Sequence, residues 1–112
     1  MKISFDFDGT LTLPTIQKLA KRHIHYGDEV HITTARLHET KTTEFDNKKL
    51  YVLADKIGIP KERIHFTGFE LKAEFLKTFD IHYDDDVLEI DTINSSDLTC
   101  IGILIGFRYY VK

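Results

Sequence analysis

Phe5-Asp6-Phe7-Asp8-Gly9-Thr10-Leu11-Thr12 follows directly on Lys2-Ile3-Ser4, and the joined segment sets polar against apolar at alternate positions. Such alternation marks a strand, in which side chains two apart share a face. Asp6 and Asp8 are therefore expected side by side at the strand's end. Two carboxylates that close repel, and at neutral pH the pair persists only if a cation neutralises them or one keeps its proton. A hard divalent ion, Mg²⁺ above all, suits acidic oxygens. Gly9 permits a backbone turn that other residues resist, and Thr10 offers a hydroxyl and an amide near the same point. Asp is a poor strand residue, and a merely solvated strand end has no need of two on one face followed by Gly-Thr. The pattern points to chemistry.

Outward from this run, Pro14 can open a helix in which Ile16, Leu19, Ala20, His23 and Ile24 recur on one face, and Gly27 ends it. Glu29 to Thr33 reads as a second short strand, running into Thr34-Ala35-Arg36. Leu37 to Asp46, rich in Thr and charge without an apolar period, reads as a loop or a poorly anchored helical turn. From Asn47 to Ile57 the positions Leu50, Leu53, Ala54 and Ile57 share a helix face, with Gly58 and Pro60 as stop signals. Ile64-His65-Phe66 is a third strand and Leu71 to Phe79 a third helix using Phe75, Leu76 and Phe79. Ile81-His82-Tyr83 is a fourth strand, Val87 to Ile93 a short helix, and Leu98 to Phe107 a strongly apolar last strand that can run on through Tyr109 and Val111. Strands alternating with helices predict an α/β fold, a parallel sheet with helices on both faces. In such sheets ligands bind at the carboxyl ends of the strands. Asp6 and Asp8, Thr33 and Thr34, and Asp84, Asp85 and Asp86 all fall there.

The chain has 112 residues, 42% of them hydrophobic, which predicts a single domain over residues 1–112. A net charge of −3 and a pI near 6.0 give no electrostatic footprint for long nucleic acid or an anionic membrane. The one cysteine, Cys100, excludes an intrachain disulfide and a cysteine-rich zinc site and fits a reduced, cytoplasmic compartment. No apolar run reaches the ~18 residues of a membrane span, and no export signal is expected. The six histidines form no metal spacing: His23 and His25 do not face each other on a helix, and His31, His65 and His82 are spread over strands. A structural or surface role is expected for each, with lining of the substrate the alternative for His38 and His82, which fall near the site edge. Phe107, Tyr109 and Tyr110 read as core or edge-strand residues rather than a stacking platform for bases, and, because a long apolar last strand tends to recruit a partner, a contact between copies of the chain is the alternative.

With these motifs in order, the chain resembles the haloacid dehalogenase-like superfamily of Mg²⁺-dependent phosphohydrolases. Asp6-Phe7-Asp8-Gly9-Thr10 matches the first motif, Thr34-Ala35-Arg36 after an apolar strand the second, Lys72 at a helix start the third, and Asp84-Asp85 after a strand the fourth. The resemblance covers roughly residues 2 to 86 in register. It implies a three-layer Rossmann-like core and the following roles. Asp6 would be the nucleophile that forms an aspartyl-phosphate. Asp8 would be general acid and then general base, with its backbone carbonyl toward the metal. Thr34 would donate to the phosphoryl oxygens and Lys72 would offset developing negative charge. Asp6, Asp8, Asp84 and Asp85 would hold Mg²⁺, and Gly9, Thr10, Ala35 and Arg36 would line the substrate's phosphate. Thr33 competes with Thr34 and Lys77 with Lys72. Thr34 is preferred because a small and then a basic residue follow it, Lys72 because it follows the loop Thr67-Gly68-Phe69-Glu70 that leaves the third strand at the site edge. Arg36 is as well suited to pairing with the acidic cluster as to touching phosphate.

Many relatives carry a cap domain, and this chain has no room for one either between Thr12 and Val30 or between Leu37 and Ile64. It therefore looks like a capless member, with an open site that serves a macromolecule or borrows a lid from a neighbouring subunit. The expected activity is a Mg²⁺-dependent phosphomonoesterase acting on a phosphorylated small molecule or macromolecular end. Phosphotransfer to an acceptor other than water, and a non-catalytic metal-binding module on the same fold, are the alternatives.

Overall fold

The computed structural model describes residues 1–38 and 47–106. Strand β1, Lys2–Phe5, is followed by α1, Pro14–His25, and β2, Glu29–Thr34. Next come α2, Lys48–Ile57, β3, Ile64–Phe66, β4, Ile81–Asp84, α3, Val87–Asn94, and β5, Ile101–Leu104. Pro14 stands at the start of α1, where the amide it lacks would have no helical partner. Left-handed Gly58 closes α2 by donating to the Ala54 carbonyl.

All five strands are parallel, in the order β3-β2-β1-β4-β5. The chain builds outward from β1 through β2 to β3, then crosses back to lay β4 on the other side of β1. The loops after β1 and β4 thus diverge, which opens a crevice at their carboxyl ends. Asp6 follows β1 directly and Asp84 closes β4.

Strand alternation separates two kinds of side chain. Ile3, Phe5, Val30, Ile32, Ile64 and Tyr83 join Leu11, Ala20, Leu50 and Ala54 in one buried cluster, to which α1 and α2 contribute. A second cluster, Leu76, Phe79, Ile93 and Cys100, ties the crossover before β4 to α3. The positions between the apolar strand residues hold Ser4, His31, Thr33, His65 and His82, and of these only His65 is more than marginally exposed. No helix among the described residues is long and apolar enough to cross a membrane.

The structure departs from the sequence expectations in three places. Leu71 to Phe79 is not a helix: only a 3₁₀ turn, Lys72–Phe75, forms. Tertiary contacts override the helical period there, because Lys72 is drawn to buried carboxylates while Leu76 and Phe79 enter the second cluster. The ends of β1 shape the same segment, with Lys2 Nζ donating to Thr78 Oγ1 and the Lys2 amide to Asp80 Oδ2. Secondly, β1 stops at Phe5, so strand alternation does not carry through to Asp8. Thirdly, the last strand is only Ile101–Leu104 within the longer apolar run. Most of the Leu37 to Asp46 loop, and Phe107, Tyr109 and Tyr110, lie outside the described residues.

His31 and His65 stack on neighbouring strands with Nδ1 of the first 2.9 Å from Nε2 of the second, and His31 Nε2 meets Glu29 Oε2. A carboxylate only accepts, so His31 Nε2 donates to Glu29, and with a neutral His31 ring Nδ1 accepts from His65 Nε2. Burial pushes both imidazoles below their usual range. Their neutral forms therefore support the fold above the unfolded-state value of about 6.5, and that support is lost as pH falls through it. Urea unfolding of the wild type and His65→Gln across pH 8 to 5 reads this contribution as a difference, in which titrations elsewhere cancel. The stability difference, wild type minus variant, is expected to be constant above pH 7 and to fall below about 6.5.

Candidate active site

Asp6 leaves β1 in extended conformation, and Phe7-Asp8-Gly9-Thr10 then turns sharply. Asp8 at φ −67°, ψ 123° and Gly9 at φ 74°, ψ 0° are the central pair of a type II turn, which demands a left-handed residue second. Space makes the same demand, because a Cβ on Gly9 would overlap the Asp85 carboxylate. The turn returns Thr10 so that its hydroxyl donates to Asp6 Oδ2 at 3.0 Å.

The other oxygen of Asp6 receives Lys72 Nζ at 2.7 Å, and the same ammonium donates to Asp84 Oδ2 at 2.6 Å. Asp6, Lys72 and Asp84 are all buried, so each charge depends on the others for its solvation. Burial, reinforced by the charge of Asp84, pushes Asp6 up to about 8 against the pull of Lys72. Burial acts on Asp84 in the same sense, but hydrogen bonds and charge from His82 and Lys72 outweigh it and hold that carboxyl at about 2. Lys72 is itself opposed by burial, and the two carboxylates nevertheless raise it. Glu89 on α3 fixes the lysine's backbone by accepting its amide.

Asp6, Asp84 and Asp85 offer carboxylate oxygens that lie within 4.8 Å of one another. Three carboxylates against one lysine could hold a dication, and oxygen donors suit a hard ion rather than a soft metal. Asp86 is differently employed: it caps α3 by accepting the amides of Leu88 and Glu89.

The like-charge neighbour of Asp6 is thus Asp84, not Asp8. Asp8 points its exposed carboxylate to Arg36, which binds both oxygens, Nε to Oδ2 at 2.8 Å and Nη2 to Oδ1 at 2.7 Å. Arg36 also lies over the Phe7 ring, 5.0 Å from its centroid, and its Nη1 reaches Asn47 Oδ1 at 3.5 Å. Of the two roles open to Arg36, pairing with an acid is the one seen. Thr34 is buried at the end of β2, where its hydroxyl accepts the Arg36 amide, while Thr33 turns to Ser4. The Ala35 carbonyl accepts from Phe69, an exposed residue in left-handed conformation. Of the two rival lysines, Lys72 reaches the carboxylates and Lys77 is exposed. The structure therefore gathers Asp6, Thr10, Lys72, Asp84 and Asp85, with Gly9 packed against them, and sets Asp8 with Arg36 beside them.

His82, expected near the site edge, donates to Asp84, whereas Asn47, buried and holding the Leu37 carbonyl, and Thr67, which follows β3 with a buried hydroxyl that has no partner among the described residues, had not been singled out as site residues from the sequence. A signal existed for the His82 contact: His82 and Asp84 are two apart on a strand, as are Ser4 and Asp6, so each pair shares a face.

Replacing Lys72 leaves buried carboxylates without their counter-charge. Lys72→Met is expected to lower stability by about 3–5 kcal/mol in denaturant titration at neutral pH, whereas Lys77→Met should stay within about 0.5 kcal/mol of wild type. Equal effects of the two would show that the buried ion pairs contribute nothing. No family model matches the chain, and no curated protein matches it.

Proposed function

We propose that the protein is a Mg²⁺-dependent phosphomonoesterase, a capless member of the haloacid dehalogenase-like superfamily working through an aspartyl-phosphate on Asp6. The observation that carries this reading is Lys72 Nζ held between Asp6 and Asp84, with Asp85 beside them, at the switch point of a parallel sheet. A buried carboxylate pinned on both oxygens is aimed rather than mobile, as a nucleophile has to be. The finer architecture belongs to the same reading: α1 and α2 cover one face of the sheet, and α3 with the Lys72–Phe75 crossover covers the other. Between β1 and β2 stand only the Phe7–Leu11 turn and α1, too little for a cap domain, so the substrate is a phosphorylated end of a large molecule or a small phosphate ester.

In this reading an Asp6 oxygen attacks phosphorus and the ester oxygen departs with a proton from Asp8. Asp8 then takes a proton from water as that water attacks the phosphorus of the acyl phosphate, releasing phosphate and restoring Asp6. Lys72 meets the charge that develops on the phosphoryl oxygens, and Thr34 with the backbone around Gly9, Thr10 and Ala35 lines them. Mg²⁺, held by Asp6, Asp84, Asp85 and the Asp8 backbone carbonyl, would neutralise the carboxylates and the incoming phosphate. Arg36 occupies both oxygens of Asp8 in the resting site, so a phosphoryl group that engages Arg36 frees Asp8 for proton transfer.

Hydrolysis of nitrophenyl phosphate and of an alkyl phosphate tests this. Turnover is expected to need both Mg²⁺ and Asp6, with Asp6→Asn inactive on either ester. Asp8→Asn should lose about 10²–10⁴-fold on the alkyl ester, yet still release about one nitrophenolate per chain in a first burst, because that leaving group needs no proton. Hydrolysis that persists in Asp6→Asn overturns the mechanism.

A further inference from the structure

The polar positions between the apolar strand residues are not scattered. Thr33 Oγ1 lies 2.7 Å from Ser4 Oγ, Ser4 Oγ lies 2.9 Å from His82 Nδ1, and His82 Nε2 lies 2.8 Å from Asp84 Oδ2. All four residues are buried to 0% exposure, on three adjacent strands, β2, β1 and β4. A carboxylate only accepts, so His82 Nε2 donates to Asp84. Ser4 Oγ sits within hydrogen-bond distance of both His82 Nδ1 and Thr33 Oγ1, so the row is continuous from the middle of the sheet to the site.

Apolar side chains would fill such interior positions without desolvating any polar group, as Ile3, Phe5, Val30 and Ile32 do on the same strands. Where the row ends is what sets it apart. Asp84 Oδ2 takes both His82 and Lys72, whereas Oδ1 takes, among the described residues, the Asp86 amide. The two donors to Oδ2 come from opposite directions in the chain, a strand neighbour and a crossover turn, and together they fix the rotation of the carboxylate.

We propose that His82, itself oriented by Ser4 and Thr33, is a positioning residue: it locks the Asp84 carboxylate so that Oδ2 serves Lys72 and Oδ1 is presented to a divalent cation. This rests on reading Asp6, Asp84 and Asp85 as a cation site. Supporting groups of this kind typically change metal affinity by 10–100-fold when removed. A purely structural histidine would alter the unfolding midpoint and leave the affinity of the folded molecules unchanged.

The test is Mn²⁺ and Mg²⁺ binding to the intact chain, by Mn²⁺ electron paramagnetic resonance and by calorimetry, with no substrate present and under conditions where each variant is shown to be folded. His82→Leu is expected to bind about 10–100-fold more weakly than wild type. His82→Gln, whose amide can donate to Asp84 from nearly the same place, is expected to recover most of that loss. Ser4→Ala keeps the imidazole but removes its orienting hydroxyl, and should weaken binding by several-fold; it carries the test alone if His82→Leu does not fold. Wild-type affinity in the folded variants overturns the proposal. A wild-type chain that takes up neither ion overturns the cation site itself, and the proposal with it.

Discussion

An ammonium group held between two buried carboxylates organises this molecule. Lys72, Asp6 and Asp84 are each expensive to remove from water, and each is acceptable where it sits only because the other two are there. Their meeting requires β1 and β4 to be neighbours, since Asp6 follows one strand and Asp84 ends the other. It also requires the crossover before β4 to start at the carboxyl edge, so that a lysine in its first turn can reach back. The remaining groups complete the two carboxylates: Thr10 bonds the other oxygen of Asp6, His82 shares Asp84 Oδ2 with Lys72, and the Asp86 amide bonds Oδ1. Burial, with the charge of Asp84 behind it, outweighs the single ammonium and pushes Asp6 up rather than down.

Much of this was legible in the chain. The alternation of Lys2 to Phe5, the helical faces of α1 and α2 and the run of short apolar strands specify a parallel sheet, and the polar residues at strand ends mark its working edge. Two failures of reading have a common cause, which is that local periods were extended past the point where tertiary contacts take over. Alternation carried through to Asp8 put it beside Asp6, whereas the type II turn at Asp8 and Gly9 swings it out to Arg36. A helical period extended over Leu71 to Phe79 missed the short turn there, although Lys72 had been placed at the site; its partners lie 66 and 12 residues away. No local signal encodes such partners. For the histidines the strand positions and a structural role were legible, but a row of hydrogen bonds across strands becomes visible only once strand order and register are known.

That order has a further consequence for the interior. Sheets of this kind ordinarily fill both faces with aliphatic residues. Here the positions opposite the apolar cluster carry two hydrogen-bonded rows, His65 to His31 to Glu29 and Thr33 to Ser4 to His82 to Asp84, the first ending at the exposed start of β2 and the second at the carboxyl edge. Each row is satisfied only when adjacent strands are in the observed register. A slip by one residue would strand several buried polar groups at once, so the rows specify pairing as well as orienting the groups at their ends.

The pairing of β1 with β4 also sets the order of events as the chain folds. Ser4 and His82 are 78 residues apart, whereas β1 and β2 are joined by a single helix. Loop closure of that length is entropically the harder step, so the half built from β1, α1, β2, α2 and β3 can gather before β4 arrives. Asp6 belongs to the early half, while Lys72, Asp84 and Asp85 come with the late one. No partly folded chain has the assembled carboxylate cluster, and the site comes into being only as the seam through the middle of the sheet closes.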